Sequence, residues 1–177
     1  MSVDIRFAAN DREHRDAYRL RALVFAGEGI LDRGRDELLF DTFDTLPSSR
    51  TMVAVQNGTV VGTVRVTSAE AEESPVQEWF EPSAAFPSDA VVAYGSMLCV
   101  APTHRRGTLG LRLVKAAMAA QRKLGSTHGV APIRPEAEPI FRKLGWFRVA
   151  EPFQHPVERV PVIPMGVDLW AGALVGV

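Results

Sequence analysis

Residues 104–120, HRRGTLGLRLVKAAMAA, place two arginines and two glycines directly before a run with helical spacing of its apolar residues. The run AVVAYGSMLCV at 90–100 precedes them and predicts a buried strand. Backbone N–H groups and the positive end of the helix dipole meet at such a helix start, so the site favours an anion, most often a phosphate. Arg105 and Arg106 add positive charge there. The stretch therefore predicts a strand, an anion-binding loop and a helix in succession.

The composition places the chain in an ordinary globular class. With 177 residues, of which 46% are hydrophobic and 23% charged, we expect a single domain over residues 1–177. A formal net charge of −1 provides no global field to gather DNA or a membrane surface. The single cysteine, Cys99, and an N-terminus without the pattern of a signal peptide or anchor predict a cytoplasmic protein.

Two local signals in the first third are specific. The run TMVAVQNGTVVGTVRVTS at 51–68 places Asn57 and Gly58 between two β-branched segments, which predicts a hairpin with a tight turn. Asn10 followed three residues later by Glu13 resembles a capping box and predicts the start of a helix. These signals supply the strands and the helix that precede the anion-binding loop.

The last third predicts alternating strands and helices. A strand is expected at 128–133, a short helix at 135–145, and two closing strands at 146–153 and 160–170. The whole order of elements is β, α, ββ, βα, βα, ββ, which predicts an α/β fold with a central mixed sheet. Between the hairpin and the strand at 90–100, the acidic, aperiodic segment predicts an exposed loop. Its Trp79 either anchors that loop or covers an acyl pocket.

The order of elements and two motifs resemble the GCN5-related N-acetyltransferase (GNAT) superfamily. The first motif is carried by Arg105, Thr108 and Gly110, at the place where that superfamily holds the pyrophosphate of coenzyme A on backbone amides. The second is IFRKLGWF at 140–147, where Phe141 stands at a position that is often a tyrosine acting as general acid. The resemblance implies a mixed, mostly antiparallel sheet with splayed fourth and fifth strands and helices on both faces.

The N-terminal half is similar to the branch that contains N-acyl amino acid synthases and acyl-homoserine-lactone synthases. RALVF at 21–25, FDTFD at 40–44 and GTVRV at 62–66 carry that similarity. On the fourth strand the lactone synthases place a glutamate and an arginine, where this chain has Tyr94 and Met97. The resemblance therefore implies an acyl-transfer platform without lactone synthesis.

The resemblance implies three groups of site residues. The thioester donor, coenzyme A or the phosphopantetheine of an acyl-carrier protein, would contact Met97, Leu98, Cys99, Val100, Arg105, Arg106, Gly107, Thr108, Leu109, Gly110 and Phe141. The acceptor would contact Arg21, Phe25, Arg65, Tyr94 and Trp79. A base must take the proton of the attacking amine directly or through water, and the candidates are Asp41, Asp44, Glu28 and Glu136.

Simpler interpretations stand beside these. Asp41 and Asp44 would also serve as solvated turn residues or bind a cationic acceptor. Arg21 would also form an ion pair with a carboxylate that holds its helix in place. Cys99 suits a position in an apolar core. The histidines show no ligand spacing with cysteines or carboxylates, so no metal is expected.

The sequence thus predicts an N-acyltransferase that moves an acyl group from an acyl thioester to the amine of an amino acid or a similar small metabolite. Two alternatives remain open at this point. One keeps the fold and uses an aminoacyl-tRNA as donor, although the near-neutral charge disfavours RNA. The other is a noncatalytic domain that binds an acyl thioester without turnover.

Overall fold

The computed structural model describes residues 2–30, 38–68, 85–155 and 159–171. Within them the chain forms two compact units. Unit 1 comprises Met1–Val66 and Ser96–Ala117, and unit 2 comprises Thr67–Gly95 and Met118–Val177. The single domain over the whole chain stays a prediction. Trp79 and most of its acidic segment lie outside the described residues.

The described elements follow the predicted order closely. The helices are α1 (Asp11–Gly27), α2 (Leu109–Lys123) and α3 (Glu138–Lys143), with 3₁₀ turns at Thr42–Thr45, Pro102–His104 and Pro135–Ala137. The strands are β1 (Asp4–Phe7), β2 (Ser49–Gln56), β3 (Thr59–Thr67), β4 (Val92–Val100), β5 (His128–Ile133), β6 (Phe147–Arg148), β7 (Phe153–Gln154) and β8 (Pro161–Asp168).

Helix α1 begins where the sequence indicated. The side chain of Asn10 accepts a hydrogen bond from the N–H of Glu13, which satisfies one of the free donors of the first turn. After the last turn Gly29 adopts φ 74°, a left-handed backbone that glycine accommodates without strain. The buried face of α1 packs on β2, β3 and β4 in a cluster formed by Ala17, Leu20, Val24, Phe25, Val53, Val60 and Cys99.

The hairpin between β2 and β3 is confirmed. Asn57 and Gly58 have φ values of 51° and 75°, so both central residues are left-handed, as a type I′ turn requires. In unit 1 the strands follow the order β1, β2, β3 and then the second half of β4. The N–H of Ala101 donates to the carbonyl of Val61 at 2.9 Å, which fixes the end of β4 beside β3. This end of β4 carries the candidate site described below.

Unit 2 contains the parallel pairing that a mixed sheet requires, between β4 and β5. Strand β4 pairs with β5 through three residue pairs, and this pairing stops at Tyr94 and Val130. The pairing of β5 with β8, in contrast, continues to the last residue of β5. Pro132 of β5 faces Pro164 of β8, and neither has an N–H to donate. Position 132 therefore offers no ladder donor on either side of β5. The fold class is confirmed as α/β, with mixed and mostly antiparallel strand pairing.

The closing strands differ from the prediction at one place. The segment at 146–153 was expected to form one strand, but it contributes only β6 and the first residue of β7. Four residues, 149–152, stand opposite two residues of β8, so continuous pairing is lost between the two short strands. Pro152 within this segment also lacks the N–H that a ladder needs. The segment therefore pairs with β8 at both ends and bulges in between.

Across the described ranges, none of the helices is both long and apolar enough to cross a membrane.

An ion pair at the start of α1 makes stability depend on acidity. Both oxygens of Glu13 accept from Arg6 at 2.7 Å, and one also accepts from the N–H of Ala9. The Arg6 hydrogen bonds, helped by that of Ala9, lower the pKa of Glu13 from 4.5 to about 2. Because the folded-state pKa lies below the unfolded value, the contribution of Glu13 is complete above pH 4.5 and is lost as pH falls toward 2.

We therefore expect Glu13→Gln to unfold at lower urea concentration than the unaltered chain at pH 6, with the difference shrinking as pH falls toward 2. Urea unfolding followed at several pH values measures it. A difference that stays constant over this range would show that the Glu13 charge makes no contribution.

Candidate active site

Two arginines and two aspartates of unit 1 form a compact group, Arg21, Arg65, Asp41 and Asp44, called the ion cluster below. Nη1 of Arg21 donates to both carboxylate oxygens of Asp44 at 2.8 Å. Nη1 of Arg65 lies 3.2 Å from Oδ2 of Asp44 and also donates to Oδ1 of Asp41. The two positive and two negative charges therefore cancel within one set of direct contacts.

Burial divides the ion cluster into a core and a rim. The side chains of Arg21, Asp44 and Arg65 are 0%, 1% and 2% exposed, whereas Asp41 is 33% exposed. Buried charges are tolerated only when they are closely paired, since removing either partner leaves an unpaired charge away from water. Arg21 and Asp44 thus hold the cluster together, and Asp41 is its side open to solvent.

The spacing of FDTFD explains why two aspartates meet there. Asp41 and Asp44 cap the turn Thr42–Thr45 reciprocally: Oδ1 of Asp41 accepts from the N–H groups of Phe43 and Asp44, and the N–H of Asp41 donates to Oδ2 of Asp44. This three-residue spacing is that of a capping box, so it orients both carboxylates toward the arginines.

Neighbouring side chains hold the arginines in place. The guanidinium of Arg21 lies 5.0 Å from the ring centre of Tyr18, and its Nη2 contacts the hydroxyl of Thr51 at 3.5 Å. Nε of Arg65 donates to the hydroxyl of Ser96 on β4 at 2.9 Å. Burial raises the pKa of Tyr18, and the negative charge of Asp44 raises it further. Ser96 therefore connects the ion cluster to the strand that leads to the anion-binding loop.

Two polar atoms of the ion cluster, one on the open side and one on the buried side, keep hydrogen-bonding capacity. The hydrogen bonds of Asp41 all fall on Oδ1, and those of Arg65 fall on Nε and Nη1. Among the described residues, Oδ2 of Asp41 and Nη2 of Arg65 have no partner. An anionic and a cationic group with spare capacity thus lie side by side.

The loop at 101–110, called the anion loop below, follows β4 directly. Nε of Arg105 donates to the carbonyl of Val100 at 3.2 Å, and Nη2 of Arg105 pairs with Oε1 of Glu28 at 2.8 Å. Arg106 is exposed and makes no ion pair with any described residue. The first turn of α2 contains no acidic residue, so the positive end of its dipole is not neutralised from within the helix.

A histidine fixes the start of the anion loop to the end of β2. Nε2 of His104 lies 2.9 Å from Oε1 of Gln56, and Nδ1 lies 2.9 Å from the hydroxyl of Thr103. With a proton on Nε2, the ring donates to Gln56 and accepts from Thr103. The turn Pro102–His104 is thereby held against the hairpin.

The two glycines of the anion loop are not required by the protein's own packing. A Cβ atom at Gly107 would lie 3.7 Å from the carbonyl oxygen of His104, and one at Gly110 would lie 3.7 Å from Cγ2 of Val100, which are ordinary contacts. Neither glycine has a positive φ. Glycine at these positions therefore leaves the backbone N–H groups open to close approach by a ligand.

Strand β4 links the ion cluster to the anion loop. From Ser96 to Val100 it spans four residue steps, about 13 Å at the usual strand rise. Met97, directly after Ser96, has φ 54°, a conformation that a non-glycine side chain disfavours. A left-handed residue inside a strand interrupts the alternation of the backbone and is a feature often found at functional sites. It re-aims backbone groups beside the ion cluster.

The other predicted site residues have varied positions. Phe25 and Cys99 are buried in the core of unit 1, and Leu98 is 38% exposed. In unit 2, Tyr94 packs with Phe86 and Val130, and Phe141 packs edge-on against Trp146. The side chain of Glu136 is 70% exposed, with Arg134 at 3.7 Å. The roles predicted for all of these residues stay predictions.

Sequence reasoning missed Ser96, Thr51, Tyr18 and Gln56. Ser96 left a usable signal, because it is a hydroxyl in an otherwise apolar strand. Tyr18 lies one helical turn before Arg21, which also places both on one face of α1.

The mixed sheet, with an anion loop between its parallel strand and the following helix, defines the class: the chain is a GNAT-type acyltransferase. More narrowly, the chain belongs to the family described as N-acyl amino acid synthase FeeM, whose sequence pattern matches residues 16–168. Because the members of this family are synthases, the chain is an enzyme, and the alternative of a noncatalytic binding domain is not supported. No curated protein sequence matches the chain significantly.

Solved structures share the fold at low sequence identity. FeeM, an N-acyl amino acid synthase from uncultured soil microbes, superimposes with a TM-score of 0.81 at 16% identity, over 95% of this chain and 91% of that one. BjaI, a CoA-dependent acyl-homoserine lactone synthase, gives 0.73 at 22% identity, over 94% and 82%. An acyl-CoA N-acyltransferase from Pseudomonas aeruginosa gives 0.70 at 18% identity, over 94% and 99%.

Proposed function

We propose that this protein transfers an acyl group from a pantetheine thioester to the α-amine of an amino acid. The observation that carries the proposal is the direct contact of Asp41 with Arg65 at the open side of the ion cluster, where Oδ2 of Asp41 and Nη2 of Arg65 keep spare hydrogen-bonding capacity among the described residues. Membership of the N-acyl amino acid synthase family supports an amino acid as the acceptor class.

The pair of Asp41 and Arg65 suits a zwitterion. An α-amino acid carries its ammonium and carboxylate on one carbon, so it needs an anion and a cation close together. Asp41 would hold the ammonium and Arg65 the carboxylate, while Asp44 keeps the arginine neutralised from the buried side. Arg21 is fully buried and occupied by Asp44, so its part in this scheme is to hold Asp44 rather than to touch the acceptor.

The anion loop suits the phosphate of the donor. Between positions 90 and 135 the chain has no aspartate or glutamate. In unit 1 this segment contributes four exposed cations, at Arg105, Arg106, Arg112 and Lys115. The free N–H groups at the start of α2 add directional donors. Coenzyme A and carrier-borne phosphopantetheine both present a phosphate beyond the pantetheine arm, so both fit this loop.

The chemistry needs position more than titrating groups. The amine nitrogen attacks the thioester carbonyl, a C–N bond forms and the C–S bond breaks. Because the acceptor enters as an ammonium, it gives one proton to Asp41, or to a water molecule that Asp41 orients, before the attack. The nitrogen loses a second proton as the C–S bond breaks, and the departing thiolate takes up a proton. Holding both reactants in one geometry is worth roughly 7–11 kcal/mol in favourable cases. A backbone N–H near Met97 would stabilise the oxyanion.

We expect Asp41→Asn to raise the KM for the amino acid about tenfold or more, which corresponds to about 1.4 kcal/mol of lost binding, and to leave the KM for the donor unchanged. The asparagine retains an Oδ1 that accepts from Phe43 and Asp44, so the turn should persist. Steady-state kinetics with each substrate varied in turn measures both values.

A simple amine without a carboxylate provides the matched comparison, because it needs only the ammonium site. If Asp41→Asn changed the KM for the amino acid and the KM for the donor equally, a zwitterion site at Asp41 and Arg65 would be contradicted. Full activity of the unaltered enzyme toward the simple amine would contradict it as well.

A further inference from the structure

The end of α1 places an acidic side chain on the anion loop. Glu28 follows the last residue of α1, and Oε1 of Glu28 lies 2.8 Å from Nη2 of Arg105. The partners are 26% and 41% exposed, so the contact is partly shielded from water. A carboxylate therefore occupies one of the two arginines that the sequence assigns to phosphate binding.

The backbone around Glu28 is firmly held. The N–H of Gly29 donates to the carbonyl of Ala26 at 3.1 Å, and the N–H of Ile30 donates to the carbonyl of Phe25 at 2.9 Å. With Gly29 in the left-handed region, these two bonds form a Schellman motif. Ile30 also packs on the apolar cluster of unit 1. The position of Glu28 is thus set by the end of a helix rather than by a free loop.

An acid is an unfavourable choice at this position. The C-terminus of a helix carries the negative end of the dipole and favours cations, yet the last turn of α1 contains no basic residue. The energetic compensation lies in Arg105. This combination places negative charge, from Glu28 and the end of α1, next to the positive charge of the anion loop.

We infer that Glu28 is a specificity-determining residue that limits how much phosphate charge the donor brings to the anion loop. The inference rests on the proposed function, since it assumes that the anion loop binds the donor phosphate. A donor with one phosphate group is served by Arg106 and the N–H groups of α2. Each further phosphate gains little from Arg105, because Glu28 already compensates the charge of that guanidinium.

The two classes of pantetheine donor differ in this property. Coenzyme A carries a pyrophosphate and a 3′-phosphate, whereas a carrier-borne pantetheine is attached through a single phosphodiester. Glu28 therefore penalises coenzyme A thioesters more strongly than carrier-borne thioesters. Coulomb repulsion scales with the number of charges, so the penalty grows with each phosphate.

The test uses three probes, coenzyme A, 3′-dephospho-coenzyme A and pantetheine 4′-phosphate, titrated calorimetrically into the whole protein and two variants. We expect Glu28→Gln to tighten coenzyme A binding about tenfold and pantetheine 4′-phosphate about twofold, with the dephospho form between them. The gains should shrink between low and high salt, because the interaction is partly exposed.

Asp11→Asn is the matched control. Asp11 is the first residue of the same helix and is exposed, and its replacement changes the net charge by the same amount. It lies 17 residues from Glu28, about 25 Å along the helix. A control variant that gains as much affinity as Glu28→Gln would overturn the inference, because the effect would then be one of overall charge.

Equal gains for all three probes in Glu28→Gln would likewise overturn it and leave the donor site in place. If none of the probes binds to the unaltered protein or to Glu28→Gln, the donor site of the proposed function fails together with the inference. The two failures are thereby distinguished in one series of titrations.

Discussion

Asp44→Ala is expected to lower the free energy of unfolding by about 3–5 kcal/mol, the usual cost of removing one partner of a buried ion pair. Asp44 is the only acid in direct contact with Arg21 among the described residues, and it also neutralises Arg65. Both arginines are almost completely buried, so the variant leaves two cations without water, and of the two only Arg65 still contacts a carboxylate, that of Asp41. Urea unfolding followed by circular dichroism measures the loss.

The surface pair of Arg19 and Asp16 offers a matched comparison on the same helix. Its atoms lie 3.3 Å apart and the arginine is 55% exposed. Asp16→Ala should therefore cost no more than about 1 kcal/mol. Similar losses for Asp44→Ala and Asp16→Ala would contradict the view that Asp44 holds the cluster together.

The second large effect is expected at the anion loop. Gly110→Glu should abolish donor binding, with a loss of at least a hundredfold in affinity, because it places a carboxylate where the N–H groups of α2 would meet the phosphate. Folding should be retained, since Gly110 lies within α2 without a positive φ and a Cβ atom there would make only an ordinary contact, 3.7 Å from Cγ2 of Val100. A thermal-shift titration with coenzyme A measures the difference.

Gly110→Ala separates the effects of bulk and charge. Its Cβ would make only an ordinary contact with Val100, and alanine favours a helix over glycine by about 1 kcal/mol. We expect this variant to melt no lower than the unaltered protein and to bind the donor more weakly than it, yet far better than Gly110→Glu. Unchanged donor affinity in both variants would remove the donor phosphate from the anion loop.

Features set by neighbouring residues were predictable from the sequence. The hairpin at Asn57 and Gly58, the Asn10 cap of α1 and the succession of β4, anion loop and α2 each depend on a few adjacent side chains and backbone angles. The order of elements predicted a mixed sheet, although it did not identify β4 and β5 as the parallel pair.

Features set by distant contacts were not predictable in the same way. Arg21 and Asp44 are 23 residues apart, and Arg65 and Ser96 are 31 apart, so the sequence left the use of each charge open. Only the contacts show that Asp44 is buried between two arginines while Asp41 keeps an open oxygen. The left-handed backbone at Met97 could not be predicted either, because the residue at this position is not a glycine.

Glu28 illustrates the same limit. As one of four carboxylates it was a candidate base, and that role stays a prediction. Its contact with Arg105 joins residues 77 positions apart, and it brings charge compensation to a loop that the sequence marks only as basic. The residues of the loop itself identify it as basic. The acid that compensates part of its charge is brought there by the packing of the end of α1, which the sequence does not show.

The most direct test of the assignment is a search for the amide product. The purified protein is incubated with an acyl thioester, supplied both as the coenzyme A ester and on an acyl-carrier protein, and with a mixture of isotope-labelled amino acids. Mass spectrometry should detect a labelled N-acyl amino acid, formed together with one equivalent of free thiol and absent with Gly110→Glu. Donor binding without any amide from either thioester would contradict amino acid N-acylation as the function of this protein.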